Sequence, residues 1–205
     1  MPMPTFLAAL EHLDPIAILH AGGYVGLAML VFAESGLLFG IFLPGDSLLF
    51  VAGLLAASGT LSIVPLTILV IVAAIAGDSV GYWFGAKTGD MLATREDSRF
   101  FKQEYLKRTE LFYKAYGGRA VLLARFVPVV RTLAPILAGA GSMEYGAFLS
   151  YNILGGALWG AGMITSGYFL GSIIPNSESY ILPFSLFIIA ISFLPVFVNL
   201  LHKKK

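Results

Sequence analysis

Long apolar runs, broken at a few places by single charges, prolines and glycines, organise this chain. Residues 1–14 place Phe6, Leu7, Leu10 and Leu13 at helical spacing after Thr5, which predicts a short interfacial helix. The run from about Pro15 to Ala33 opens with a proline where a helix start favours it and predicts a membrane-spanning helix. The next stretch, FAESGLLFGIFLPGDSLLFVAG (Phe32–Gly53), sets Glu34, Asp46 and a Pro44-Gly45 break inside apolar sequence. Its apolar halves, about 35–43 and 47–57, are each too short to cross a bilayer at about 1.5 Å per residue. The pattern predicts a re-entrant helical hairpin over 34–59.

A span from about Leu61 to Lys87 follows, with Gly77, Gly81, Gly85 and Gly89 along one helix face. Such a stripe of small residues permits close helix packing, within one chain or between chains. A homo-oligomer is therefore left open. Asp78 beside the stripe reads either as a partner for a cation or as a residue near a helix end. Residues 87–119 form a hydrophilic section in which Phe101, Tyr105, Phe112, Tyr113 and Tyr116 fall near one side of a helix. It reads as a cytoplasmic amphipathic helix on an anionic membrane surface or as a solvated helix packed on its own protein. Residues 120–141, AVLLARFVPVVRTLAPILAGAG, place Arg125 and Arg131 in an apolar run broken by Pro128 and Pro135. They predict a second re-entrant hairpin. Two further spans are expected at about Tyr145–Ile174 and Tyr180–Leu201, before Lys203, Lys204 and Lys205.

Composition agrees with this pattern: of 205 residues, 58% are apolar and only 12% charged, with mean hydropathy +0.84. The fold class expected is an all-α polytopic membrane protein in a single transmembrane domain over 1–205. It comprises about four transmembrane helices, two oppositely oriented re-entrant hairpins and the amphipathic section. The absence of Cys excludes disulfides and thiolate metal sites. No metal-ligand cluster, phosphate loop or nucleic-acid-binding pattern is present, so neither a cofactor nor nucleic acid is expected. The first basic side chain is Lys87, which argues against a secretory signal peptide. Residues 87–119 and the C-terminal lysines fall on one side of the predicted membrane. The positive-inside rule makes that side the cytoplasm, with both termini there.

An internal repeat supports this layout. Phe42-Leu43-Pro44 is followed by Gly81-Tyr82-Trp83-Phe84-Gly85, and Phe126-Val127-Pro128 by Gly167-Tyr168-Phe169-Leu170-Gly171. Each unit is a hairpin followed by a glycine-lined span, and the two enter from opposite sides. Secondary transporters are built in this way, with their sites at midplane between broken helices.

An unpaired charge at the bilayer centre costs on the order of 2.5–3.5 kcal/mol even on lenient scales. Glu34, Asp46, Arg125 and Arg131 are accordingly expected to meet where the two hairpins face each other. Two guanidinium groups clamp a phosphate or carboxylate by forked hydrogen bonds. The carboxylates either pair with the arginines when no anion is bound, or carry protons, since burial favours the neutral acid. A buried ion-pair network that only locks the hairpins is the alternative.

The hairpin stretch Phe32–Gly53, the GDxxGYxxG of Gly77–Gly85, the ARFVPVVRTLAPxxAG from Ala124 and the YNxxGGxxW of Tyr151–Trp159 together resemble the bacterial DedA family. That family belongs to the wider VTT-domain group, and the resemblance covers about residues 15–200. It implies facing re-entrant hairpins and transport roles for Glu34, Asp46, Arg125 and Arg131. It also implies a multi-pass location in the bacterial inner membrane. The implied work is on lipids: members are similar to flippases that return undecaprenyl phosphate to the cytoplasmic leaflet using the proton motive force, and eukaryotic relatives resemble phospholipid scramblases.

The function expected is therefore a lipid flippase rather than an enzyme. Arg125 and Arg131, with Glu34 and Asp46, bind the phosphate of undecaprenyl phosphate or a phospholipid; Glu34, Asp46 and Asp78 exchange protons. A proton-coupled antiporter for small cations or amphipathic compounds is the second reading. A lipid-phosphate phosphatase is the third. It lacks Cys, and His12, His20 and His202 lie near segment ends away from the Arg motif, so the usual covalent nucleophile is missing.

Overall fold

Apolar runs of this length leave backbone polar groups no partner but their own chain, and helices are the local answer. The computed structural model describes residues 15–36, 45–93 and 103–173, and every regular element among them is helical. These are α1 (Pro15–Gly36), α2 (Gly45–Ala57), α3 (Ile63–Ala93), α4 (Gln103–Tyr116), α5 (Gly118–Ala124), α6 (Pro128–Ala140) and α7 (Tyr145–Ile173). The predicted interfacial segment 1–14, the tip of the first predicted hairpin and the predicted Tyr180–Leu201 span lie outside the described residues.

Among the described residues, two helices are long and apolar enough to cross a membrane, over Ile63–Gly89 and Tyr145–Ile173. Only 33% of each apolar window is buried, so most of this apolar surface faces outward. Val64, Ile68 and Val72, one helical turn apart, are all exposed. Water would penalise such a surface, whereas lipid does not. The helices α2 and α6, with 13 residues each, reach only about 20 Å, short of the roughly 30 Å hydrocarbon core.

The chain divides into two compact units. The first comprises residues 1–29, 44–69 and 162–205; the second comprises 30–43 and 70–161. In the first unit α2 buries Leu48, Leu49, Val51, Ala52, Leu54 and Leu55. It packs against the end of α7 through glycine: a Cβ on Gly53 would stand 2.9 Å from the Tyr168 nitrogen. Helix α1 is bent at Gly23, where φ 51° and ψ −143° suit glycine alone. The Tyr24 hydroxyl accepts the Ser62 N–H at 2.8 Å, tying α1 to the turn before α3.

In the second unit the glycine stripe of α3 is used within the chain. Gly77 lies against Phe32, Ser35 and Gly36 of α1. Gly85 lies against the Ile136 backbone and Gly89 against Ala140, both of α6, while Gly139 returns the approach against Tyr82 and Ala86. Helix α4 ends at Gly117, whose φ of 56° turns the chain into α5. Tyr113 of α4 is buried and donates to the Ala134 carbonyl of α6 at 3.0 Å. Of the amphipathic section, Tyr113 thus packs on the protein itself, while Leu111, Phe112 and Tyr116 stay exposed; Phe101 lies outside the described residues. The chain breaks at Arg125–Val127 because Pro128 holds the residue before it extended. Val127 sits at φ −115°, ψ 110°, and Pro128 opens α6 at its first position.

Candidate functional site

Four charged side chains converge inside the second unit, each delivered by a different element. Glu34 comes from the last turns of α1, which runs on to Gly36 rather than ending before the acid. Asp78 comes from the middle of α3. Arg125 caps the C-terminal end of α5, and Arg131 lies in the first turn of α6. They form two ion pairs: Arg125 Nη2 with Asp78 Oδ2, and Arg131 Nη2 with Glu34 Oε1. The side chains are nearly buried, with exposures of 6% and 7% in the first pair and 13% and 3% in the second. Two cations facing two anions leave the cluster formally neutral, which low-dielectric surroundings require.

Helix α7 completes the arrangement. Asn152, 1% exposed, accepts from Arg125 Nη1 through Oδ1 at 2.9 Å and through its carbonyl at 3.3 Å. Its amide donates to the Ile75 carbonyl at 3.2 Å, which fixes the orientation of the acceptor oxygen. Two turns further along, Trp159 presents its ring to both guanidinium groups. The Arg131 Cζ is 4.9 Å and the Arg125 Cζ 5.8 Å from the ring centroid, within cation–π range. Between them, Gly155 and Gly156 make room for Arg125: a Cβ on Gly156 would stand 3.1 Å from Nη1. Asp78, Arg125, Arg131, Pro135, Tyr151 and Asn152 line a pocket of about 10 Å³, room for roughly one water.

Of the residues expected at the site, Glu34, Asp78, Arg125 and Arg131 are thus brought together. Asp46 belongs to the first unit, where it lies in the first turn of α2. A carboxylate there is favoured by the helix dipole. Sequence reasoning assigned no role to Asn152 or Trp159. The available signal was their spacing: Asn152, Gly155, Gly156 and Trp159 fall on one face of a helix otherwise free of charge. Among the described residues no group of His, Asp and Glu gathers in a way that could hold a metal ion.

Residues 43–169 match the VTT domain, and that span includes Asp78, both arginines, Asn152 and Trp159. The chain belongs to the VTT-domain (DedA) family. It is 41% identical to Protein DedA of Escherichia coli K12 over 89% of its own length and 84% of that protein. It is also 41% identical to the uncharacterized membrane protein ML0287 of Mycobacterium leprae, covering 98% of this chain and 92% of that one. Inner membrane protein YqjA of E. coli K12 is 35% identical over 72% of this chain. No solved structure matches. As a VTT-domain membrane protein, the chain carries its charge cluster buried among helices that leave many apolar side chains exposed.

Proposed function

We propose that this protein is a transporter that moves a phosphate-headed lipid, undecaprenyl phosphate first among candidates, between the leaflets of the bacterial inner membrane. The reading rests on two buried arginines, each held by a carboxylate that an incoming phosphate can replace. The water-sized pocket between them admits no phosphate without that exchange. The oxygens of a phosphate then accept the Nη2 N–H groups that Asp78 and Glu34 accept otherwise. The N-terminus of α6 adds its partial positive charge at the same place.

Charge balance supplies the coupling. A phosphate monoester brings a charge of about −1.5 to −2 at neutral pH. A neutral buried cluster accepts it only if displaced carboxylates take up protons. Glu34 and Asp78 fill that role, and roughly one to two protons accompany each lipid. The prenyl chain stays in the bilayer throughout. In this reading α2 and α6 are the inner arms of two re-entrant hairpins related as an inverted repeat, and the termini and α4 lie in the cytoplasm. No bond in the lipid is made or broken, so the protein is not an enzyme.

Antiport of small cations fits less well, because it needs carboxylates open to the solute, whereas Glu34 and Asp78 are engaged by arginines. Purified protein in liposomes with labelled undecaprenyl phosphate provides the test. Flipping by the wild type should accelerate with an imposed pH gradient. Arg131→Ala should abolish flipping, and Arg131→Lys, which keeps charge but loses the fork, should retain a small part of it. Wild-type rates in both variants, with the protein folded, would remove the clamp; rates insensitive to pH would leave a scramblase.

A further inference from the structure

A second cavity lies on the side of α5 and α6, built from none of the four paired charges. It is an apolar groove of about 600 Å³, within the roughly 300–1,000 Å³ of small-molecule sites. Phe112 and Tyr116 of α4, Leu123 of α5, Val127 of the turn, and Val130 and Leu137 of α6 form its walls. All six are well exposed, so no described part of the chain covers them. Arg108 and Arg119 also line it, both exposed. Arg108 pairs with Glu104 at 2.6 Å, a solvent-exposed contact of the kind that competes poorly with a doubly charged partner. None of the residues lining the groove is acidic.

We propose that this groove binds one anionic, phosphate-headed membrane lipid, its phosphate between Arg108 and Arg119 and one hydrocarbon chain along Leu123, Val127 and Leu137. The chemistry of the two ends decides the occupant. Cationic side chains beside an apolar trough, in a protein whose outward surface is lipid-facing, match an anionic head joined to an alkyl or prenyl tail. Tyr116 and Phe112 suit the interfacial depth at which aromatic rings settle. Ala134 lines both this groove and the pocket between Arg125 and Arg131, so a lipid here would sit against the wall of the paired charges. The groove requires a membrane but no transport step, and it stands or falls separately from the flippase reading.

The chain contains no cysteine, so Val127→Cys gives one labelling position in the groove and Val72→Cys one on the outward face of α3. Full-length protein carrying an environment-sensitive fluorophore at either position would be placed in phosphatidylcholine vesicles. Nitroxide-labelled phosphatidylglycerol or nitroxide-labelled phosphatidylcholine would then be titrated in. At Val127, half-quenching should need at least five-fold less phosphatidylglycerol than phosphatidylcholine; at Val72 the two should be equal. Arg108→Gln with Arg119→Gln should erase the preference at Val127, while Lys114→Gln, at an exposed cation of α4 outside the groove, should leave it. Equal quenching at Val127 in the wild-type background would overturn the proposal, as would a preference that survives loss of both groove arginines. Quenching at Val72 but none at Val127 would assign the groove to protein, such as a second copy of this chain, and overturn it equally.

Discussion

Helices α2 and α6 have the same length and the same frame, and they carry opposite charge. Each has 13 residues, and each follows or begins with a proline, Pro44 or Pro128. Each packs through a glycine, Gly53 against Gly167 and Tyr168 in the first unit, Gly139 against Tyr82 and Ala86 in the second. In its first turn, however, α2 carries Asp46 and α6 carries Arg131. A carboxylate at a helix N-terminus is stabilised by about 0.3–1 kcal/mol, and a cation there is opposed by a similar amount. Arg131 therefore sits where the helix disfavours it and is held by Glu34 and the Trp159 ring. The frame is repeated while the charge is not, so the frame serves packing and the charges serve something else.

The largest effect that would sharpen this contrast comes from the deepest pair. Arg125→Ala leaves Asp78 and the Asn152 oxygen without the guanidinium that both engage. Breaking a buried pair from one side costs about 3–5 kcal/mol. Asp46→Asn removes a carboxylate whose helix-dipole term is only about 0.3–1 kcal/mol. Denaturant unfolding in detergent should separate the two substitutions clearly. Equal losses would mean that the second unit has no privileged charge cluster.

The next effect tests the shared frame. A Cβ at Gly85 overlaps the Ile136 carbonyl, and one at Gly167 overlaps the Phe50 carbonyl. Gly85→Ala and Gly167→Ala should each cost about 1–3 kcal/mol, the range for overpacking. Gly22→Ala, with nothing within 4 Å of its added Cβ, should be neutral or slightly stabilising. Similar losses in the two units would sharpen the comparison; a loss in one alone would break it.

Much of this was legible beforehand, for definite reasons. Glu34, Arg125 and Arg131 stand out because charge inside apolar sequence demands a partner, and the short runs around Pro44 and Pro128 forecast helices too short to span. The pairing itself was not legible. Acids at 34, 46 and 78 and arginines at 125 and 131 combine in several ways, and only backbone placement selects Asp78 for Arg125. The glycines of α3 were visible as a stripe, but a stripe does not say whether its partner is the same chain. Asn152 and Trp159 look like ordinary members of a span until Arg125 is seen against them.

A smaller effect follows from Trp159. Its ring faces both guanidinium groups, and such contacts contribute about 0.5–2 kcal/mol depending on desolvation. Trp159→Leu keeps an apolar side chain but loses the quadrupole together with part of the volume. It should destabilise by at least that amount and lower lipid flipping more than Trp159→Phe, which keeps a weaker aromatic face. Equal behaviour of Leu and Phe would reduce Trp159 to packing, and the second unit would then differ from the first by its ion pairs alone.

The smallest effect at neutral pH concerns Tyr113, which ties α4 to the back of α6 and has no counterpart described on α2. Its hydroxyl donates to the Ala134 carbonyl at 3.0 Å, a bond contributing about 0.5–1.5 kcal/mol. Burial pushes its phenol from the ordinary 10.0 up to about 12. Burial favours the neutral phenol in the fold, so its contribution is complete below pH 10. It is lost as pH rises from 10 to about 12, where the unfolded chain ionises first. Tyr113→Phe should lower stability slightly at pH 7 and flatten the alkaline decline between pH 10 and 12, read by thermal unfolding across that window. The hydroxyl hydrogen bond predicts the loss at pH 7 and the buried phenol predicts the flattening. An unchanged alkaline slope would therefore mean that the phenol is not held against α6 in solution, and the Tyr113 contact would no longer distinguish α6 from α2.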